Sequence, residues 1–200
     1  MEKIKTQKIA LYGILSAIII IMSFTPLGFL KVPALALEIT FLPIPVAIGA
    51  ALLGPVGGLY FGTLFGIMSF VQCFGFSVMG AELLAVNPVF TFILCVVPRA
   101  LMGLCCGLIF KLISKFDKKN IVSFIVSSFS AAFLNTVFFL LFFTVLFGQG
   151  DFLARFGNSL TTILFTLVSV NGILEVIVCT VIGFAVSKAL SYVLSRRIKK

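Results

Sequence analysis

A few hydrophilic side chains interrupt the long apolar runs of this sequence, and they are the residues best suited to do chemistry. A charged or amide group inside hydrocarbon is costly, so each one is a candidate for binding or transport. Arginine can donate two parallel hydrogen bonds to a carboxylate, asparagine can pair with hydroxyl or amide groups, and glutamate can accept from a hydroxyl. The candidates for substrate binding are Asn87, Arg99, Asn135, Asn171 and Glu175.

Four of these candidates are predicted to lie at a similar depth. Measured at about 1.5 Å per residue from the nearest basic end of each run, Arg99 lies roughly 18 Å deep and Glu175 roughly 20 Å. On the same scale Asn135 lies roughly 24 Å and Asn171 roughly 26 Å deep. Such a layer of polar groups predicts a pocket for a small polar molecule. The alternative is a buried Arg99–Glu175 ion pair, bridged by asparagines, that serves only assembly.

Composition limits the reactions that this layer can perform. With 61% hydrophobic and 10% charged residues, the chain lies far from the roughly one-quarter charge of soluble domains. It contains no histidine, which excludes Ser-His and Cys-His nucleophiles, and it has no phosphate-binding loop. Glu175 is the one acid predicted inside the membrane, so enzymes that need paired acids are excluded. We therefore predict no enzyme, no cofactor and no metal, and we interpret the five cysteines as packing residues.

The apolar runs predict an all-α integral membrane protein, a six-transmembrane-helix bundle that forms one membrane domain over residues 1–200. The helices are predicted over about 9–30, 40–53, 56–76, 86–113, 121–147 and 160–194. The second is short and contains two prolines, and Gly54-Pro55 predicts a turn after it.

The basic residues predict the orientation. Twelve of the 15 Lys and Arg fall on the side of the N-terminus, two fall on the other side, and Arg99 lies within the membrane. This bias predicts a multi-pass protein of the cell membrane with both termini cytoplasmic. The net charge of +9 is thereby explained without nucleic acid.

Small residues form two kinds of stripe. Glycines spaced by four, at positions 54, 58, 62 and 66 and again at 103 and 107, predict close packing between helices. Ala10, Gly13 and Ala17 share one face of the first helix. That face packs either inside the bundle or against another membrane protein.

Several stretches resemble the substrate-binding S components of energy-coupling factor (ECF) vitamin transporters. They are residues 44–70, Val97 to Gly103, Leu134 to Thr136 and Asn171 to Glu175. Among subgroups, the sequence is most similar to the pantothenate-type proteins.

The resemblance implies a protein that binds a vitamin or related micronutrient from outside, with pantothenate as the best guess. It implies partners: a membrane coupling protein of the EcfT type and two ATP-binding subunits, which hydrolyse ATP. The coupling face would be formed by Ala10, Gly13 and Ala17, although the family pattern has alanine where Gly13 stands. Residues 28–40 would cover the pocket.

Two other functions stay open. The first is an S component for a riboflavin-like or queuosine-precursor-like ligand, in which Glu175 faces a cationic or neutral ring. The second is a self-sufficient proton-coupled carrier that uses Glu175.

Overall fold

The structure of the protein is a computed structural model that describes residues 2–25, 28–31, 38–117, 119–148 and 172–198. Six helices and one small antiparallel sheet are found in these ranges. In chain order they are α1 (Glu2–Ser23), β1 (Phe29–Lys31), β2 (Glu38–Thr40), α2 (Pro43–Gln72), α3 (Val78–Val86), α4 (Pro88–Ile113), α5 (Ile121–Phe147) and α6 (Ile173–Ile198).

Five of these helices are long and apolar enough to cross a membrane. The qualifying spans are Thr6–Ser23, Pro43–Gln72, Pro88–Ile113, Ile121–Phe147 and Glu175–Val193. The chain is therefore an all-helical multi-pass membrane protein, apart from its two short strands.

The N-terminal helix begins at Glu2, earlier than the predicted start near residue 9, and it ends at Ser23 instead of near residue 30. The hydroxyl of Ser23 donates to the carbonyl oxygen of Ile19 at 2.7 Å, and Phe24 and Thr25 close tighter turns onto Ile21 and Met22. Such local bonds compete with the regular helical ladder and help to end it. The chain then forms β1, whose Leu30 pairs with Ile39 of β2.

Helix α2 combines the predicted second and third helices and folds back on itself at Gly54. The backbone there is non-helical, with φ 81° and ψ −170°, a conformation that favours glycine. A Cβ built on Gly58 would lie 2.9 Å from the Cβ of Ala50, although a straight helix would separate these residues by about 12 Å. The turn predicted at Gly54 is thus confirmed, and residues 43–53 and 55–72 run side by side in opposite directions.

The first segment of this hairpin is short. Its 11 residues, 43–53, rise only about 16 Å, which is roughly half the thickness of a bilayer's hydrocarbon core. Pro43 occupies the first turn, where the missing N–H costs no helical hydrogen bond. The second segment ends at Gln72 and not near residue 76 as predicted. The short helix α3, which was not predicted, follows it. Ser77 caps the start of α3 by accepting from the N–H of Gly80 at 3.3 Å.

The second segment of α2 packs on α4 through glycine, backbone against backbone. A Cβ on Gly58 would lie 2.8 Å from the carbonyl carbon of Gly103, and one on Gly62 would lie 3.0 Å from that of Arg99. A Cβ on Gly107 would lie 2.5 Å from the Cα of Pro55. These spacings confirm the predicted packing role of the glycine stripes, because only residues without side chains allow so close an approach.

Helices α4, α5 and α6 follow one another in an antiparallel series around this pair. Helix α5 has the bounds predicted for it, whereas α4 begins two residues later than predicted. Ser127 of α5 donates to the carbonyl oxygen of Cys106 at 3.4 Å, and Gly183 of α6 lies against Ser128. The predicted start of the last helix, near 160, lies outside the described residues.

The glycine contact predicts a sharp difference between two otherwise similar substitutions. Gly58→Leu should lower the stability of the protein by about 2–3 kcal/mol, since its side chain would meet the backbone of α4 and the strain cannot be relieved by a rotamer change. Gly13→Leu is the matched control, because a Cβ at Gly13 has nothing within 4 Å. Thermal unfolding of the purified variants in detergent measures both, and equal midpoints would contradict the packing argument.

Candidate substrate site

Arg99 is held inside the bundle by α4, with only 9% of its surface exposed. Its Nη1 donates to the carbonyl oxygen of Leu94 at 2.7 Å, whereas its Nε has no hydrogen-bond partner among the described residues. The guanidinium carbon lies 4.9 Å from the ring centre of Phe139 and 5.6 Å from that of Phe65. Two aromatic faces thus support the cation electrostatically and leave part of its donor edge without a partner.

Asn135 and Glu175 form the second part of the site. Asn135 Nδ2 of α5 donates to Glu175 Oε1 of α6 at 3.4 Å, and both side chains are buried. Thr40, at the end of β2, lies beside the Glu175 carboxylate. The other polar atom of the amide, Asn135 Oδ1, is buried and has no partner within the described ranges.

These two parts lie close to each other. Phe139, which contacts the Arg99 guanidinium, is one helical turn from Asn135 on α5, and Arg99 and Glu175 are near enough to attract each other electrostatically. Within the part of the chain that the structure describes, however, they form no ion pair. Arg99 bonds to its own helix instead, and Glu175 bonds to Asn135 of α5.

Of the remaining predicted binding residues, the structure describes Asn87, which stands apart from this group. Asn87 is the N-cap of α4, where its Oδ1 accepts from the N–H groups of Val89 and Phe90 at 3.0 and 3.1 Å. It lies twelve residues from Arg99 along the same helix, a distance of roughly 18 Å. Asn171 lies outside the described residues.

The structure adds residues near Arg99 and at the helix ends that the sequence analysis did not single out. Phe65 and Phe139 were hidden among 24 phenylalanines, and only their contact with Arg99 distinguishes them. Gln72 did carry a signal, as an amide near the end of an apolar run. It is buried, and its Nε2 donates to the carbonyl oxygen of Ser23, which joins the ends of α2 and α1.

The small-residue stripe of α1 faces away from the bundle. Ala10, Gly13 and Ala17 are all exposed, whereas Leu11 and Leu15 on the opposite face are buried in the core. The stripe is therefore not used for packing against the described part of the chain.

Comparison with known families identifies the protein. The model of the ECF transporter substrate-specific component family matches residues 7–187. The chain belongs to this family. A search of curated proteins found no match.

Membership of the ECF substrate-specific component family fixes the general role. This is a transporter family and not an enzyme family, and its members work with an ECF module and a small-molecule substrate. In the described ranges no group of three or more His, Cys, Asp or Glu could hold a metal ion.

A buried cation with no ion-pair partner in the described ranges predicts that stability and binding oppose each other at this site. Arg99→Met should leave the thermal stability of the ligand-free protein unchanged or raise it, because an apolar side chain of similar length removes the cost of burying the charge. Leu94→Ala, one turn away and also buried, is the control and should cost about 2–5 kcal/mol. If both variants lose stability equally, Arg99 has a structural role and not a binding role.

Proposed function

We propose that this S component binds a carboxylate-bearing vitamin or related micronutrient, with pantothenate as the best candidate, between Arg99, Asn135 and Glu175. The observation that carries the proposal is a pair of buried atoms, Arg99 Nε and Asn135 Oδ1, that lack hydrogen-bond partners among the described residues. Buried polar groups are almost always satisfied, so one donor and one acceptor left over at one site favour a ligand that supplies both missing bonds.

The chemistry of the two atoms favours an acidic ligand. The Nε–H of Arg99 seeks an acceptor, and a carboxylate accepts from the guanidinium edge through short, charge-assisted bonds. Asn135 Oδ1 seeks a donor, which a hydroxyl or amide N–H of the ligand would supply. Glu175 already accepts from Asn135, whereas Arg99 Nε has no partner among the described residues, so the arginine is the more available of the two. This arrangement supports pantothenate over a cationic ligand that Glu175 would have to neutralise.

Asn87 and Asn171 have different places in the proposal. Asn171 is four residues before Glu175, and we keep it as a ligand-binding candidate because it would stand on the same helix face. Asn87 keeps only a supporting role at the N-terminus of α4, since its acceptor oxygen is already used for capping.

In the proposed topology the chain crosses the membrane six times, with both termini cytoplasmic. Gly54, at the turn of α2, contacts Gly107 of α4. Gly107 is four residues before Lys111, so this contact lies at the end of the bundle that the charge bias assigns to the cytoplasm. The two segments of α2 then descend and return, which gives an even number of crossings. The strands β1 and β2 would lie at the outer end, where Thr40 reaches Glu175, and the site would open outward.

We further propose that the exposed face of α1 docks on the membrane coupling protein. Ala10, Gly13 and Ala17 leave the α1 backbone open to a neighbouring helix, and the packed side of α1 is already occupied by Leu11 and Leu15. Small residues in this arrangement allow close helix–helix contact in lipid. Two ATP-binding subunits attached to the coupling protein would supply the energy for release of the ligand into the cell.

The identity of the ligand can be tested directly. Mass spectrometry of the small molecule that travels with the purified protein should find pantothenate or another carboxylate-bearing micronutrient. Arg99→Lys should weaken binding of that compound by about 10–100-fold in calorimetry, because an ammonium group cannot make the bidentate contact. Lys115→Arg, an exchange at an exposed position, is the control and should leave affinity unchanged. A cationic co-purifying ligand, or normal affinity in folded Arg99→Lys, would overturn the proposal.

The coupling face predicts that binding and uptake can be separated. Gly13→Leu should retain ligand affinity but lose uptake in cells and co-purification with the coupling protein. Ala185→Leu adds the same side chain to an exposed position of α6 and should transport normally. Normal uptake by Gly13→Leu would exclude α1 as the docking face. Uptake that persists without the coupling protein and collapses with the proton gradient would instead favour the self-sufficient carrier.

A further inference from the structure

Two buried thiols face each other between α2 and α4. Cys73 follows the last residue of α2, and Cys95 lies in the first half of α4. Their sulfur atoms are 3.8 Å apart, and the two residues are only 4% and 6% exposed. The structure contains three further free cysteines, at positions 105, 106 and 179, and no sulfur–sulfur contact among them is found in the described ranges.

The backbone around the pair already brings the two helices as close as they can come. A Cβ on Gly66 would lie 2.8 Å from the carbonyl oxygen of Cys95, so α2 and α4 are in direct contact one to two turns before Cys73. A disulfide needs a sulfur–sulfur distance of about 2.05 Å, so the two sulfurs must approach by roughly 1.8 Å. Cys73 stands at the C-cap of its helix, where its N–H donates to the carbonyl oxygen of Phe70 at 3.0 Å and the chain is leaving the regular hydrogen-bond ladder.

We propose that Cys73 and Cys95 form a reversible disulfide that locks α2 to α4 beside the candidate site. The reaction is thiol–disulfide exchange with a small-molecule disulfide. A thiolate of one cysteine attacks the oxidant and releases one thiol, and the second cysteine then displaces the other thiol. Both protein sulfurs are oxidised, one S–S bond forms in the protein, and the oxidant's two sulfurs leave as thiols with the two protons.

Because Cys73 and Cys95 lie beside the candidate site, a disulfide between them would restrain the helices that hold Arg99. Cys95 is one helical turn from Arg99, and the carbonyl that holds the guanidinium belongs to the adjacent Leu94. Gln72, next to Cys73, joins the end of α1 to the end of α2. A bond between the two sulfurs therefore connects three helix segments around Arg99. In the proposed topology these segments lie in the outer half of the bundle, on the side where disulfides persist.

The test uses the full-length protein purified in detergent. One sample is treated with the oxidant diamide, which takes up the two electrons and two protons as a hydrazine, and a second sample is reduced with dithiothreitol. Free thiols are then alkylated after unfolding, and the protein is digested without reductant. We expect two fewer alkylated cysteines in the oxidised sample and one peptide pair linked through Cys73 and Cys95. We also expect an unfolding midpoint several degrees higher than in the reduced sample, because the cross-link restricts the unfolded chain.

Matched variants make the result specific. Cys95→Ser should lose both the linked peptide and the rise in midpoint, whereas Cys179→Ser, which changes another buried thiol, should keep both. Iodine, which is small and apolar, serves as a second oxidant that reaches thiols within the bundle and forms the same bond with release of two iodide ions and two protons. The proposal is overturned if all five thiols remain alkylatable after both oxidants. It is equally overturned if the linked peptide contains a different pair, or if the linked protein unfolds at the same temperature as the reduced protein.

Discussion

The rest of the structure depends on the backbone contact between α2 and α4. Glycines on both helices remove the side chains that would hold the helices apart, and in lipid the dispersion energy gained at such short range replaces the hydrophobic effect that packs soluble proteins. The same contact positions the site, because Gly62 lies directly against the backbone of Arg99. A larger residue at this level would displace α4, and the guanidinium would move away from Phe65 and Phe139, which lie on either side of it.

Burying Arg99 in the bundle costs free energy of desolvation, and this cost needs an explanation in terms of stability or of function. An arginine in the apolar interior loses its hydration, and the usual compensation is a bonded carboxylate. Glu175 lies close by but bonds to Asn135 and not to Arg99, so the compensation is incomplete within the described residues. A bundle built only for stability would place an apolar residue at this level. We propose that the substrate of this ECF substrate-specific component supplies the missing bonds.

Much of this architecture could be read from the chain. Helix α5 runs from Ile121 to Phe147 as predicted, because its apolar run is long and free of proline. The turn at Gly54 was predictable from Gly-Pro, as was the packing of the glycine stripes. Several features differed, among them the early end of α1 at Ser23, the end of α2 at Gln72 and the short helix α3. In these three cases hydroxyl or amide hydrogen bonds of single residues lie at a helix terminus, and hydropathy averaged over a window does not detect such bonds.

The sequence alone determined that this is a helical membrane protein, because hydrocarbon tolerates only apolar runs and makes every polar exception visible. Only the tertiary structure decided how those exceptions pair. It separated Asn87, as a helix cap, from Arg99, Asn135 and Glu175, and it placed Phe65 and Phe139 against the guanidinium. It also turned the face of Gly13 outward and that of Gly58 inward. The depth of a polar residue in the membrane follows from counting residues along one helix. Its contact partners depend on how each helix is rotated about its axis. That rotation is set by packing between segments that are distant in the chain.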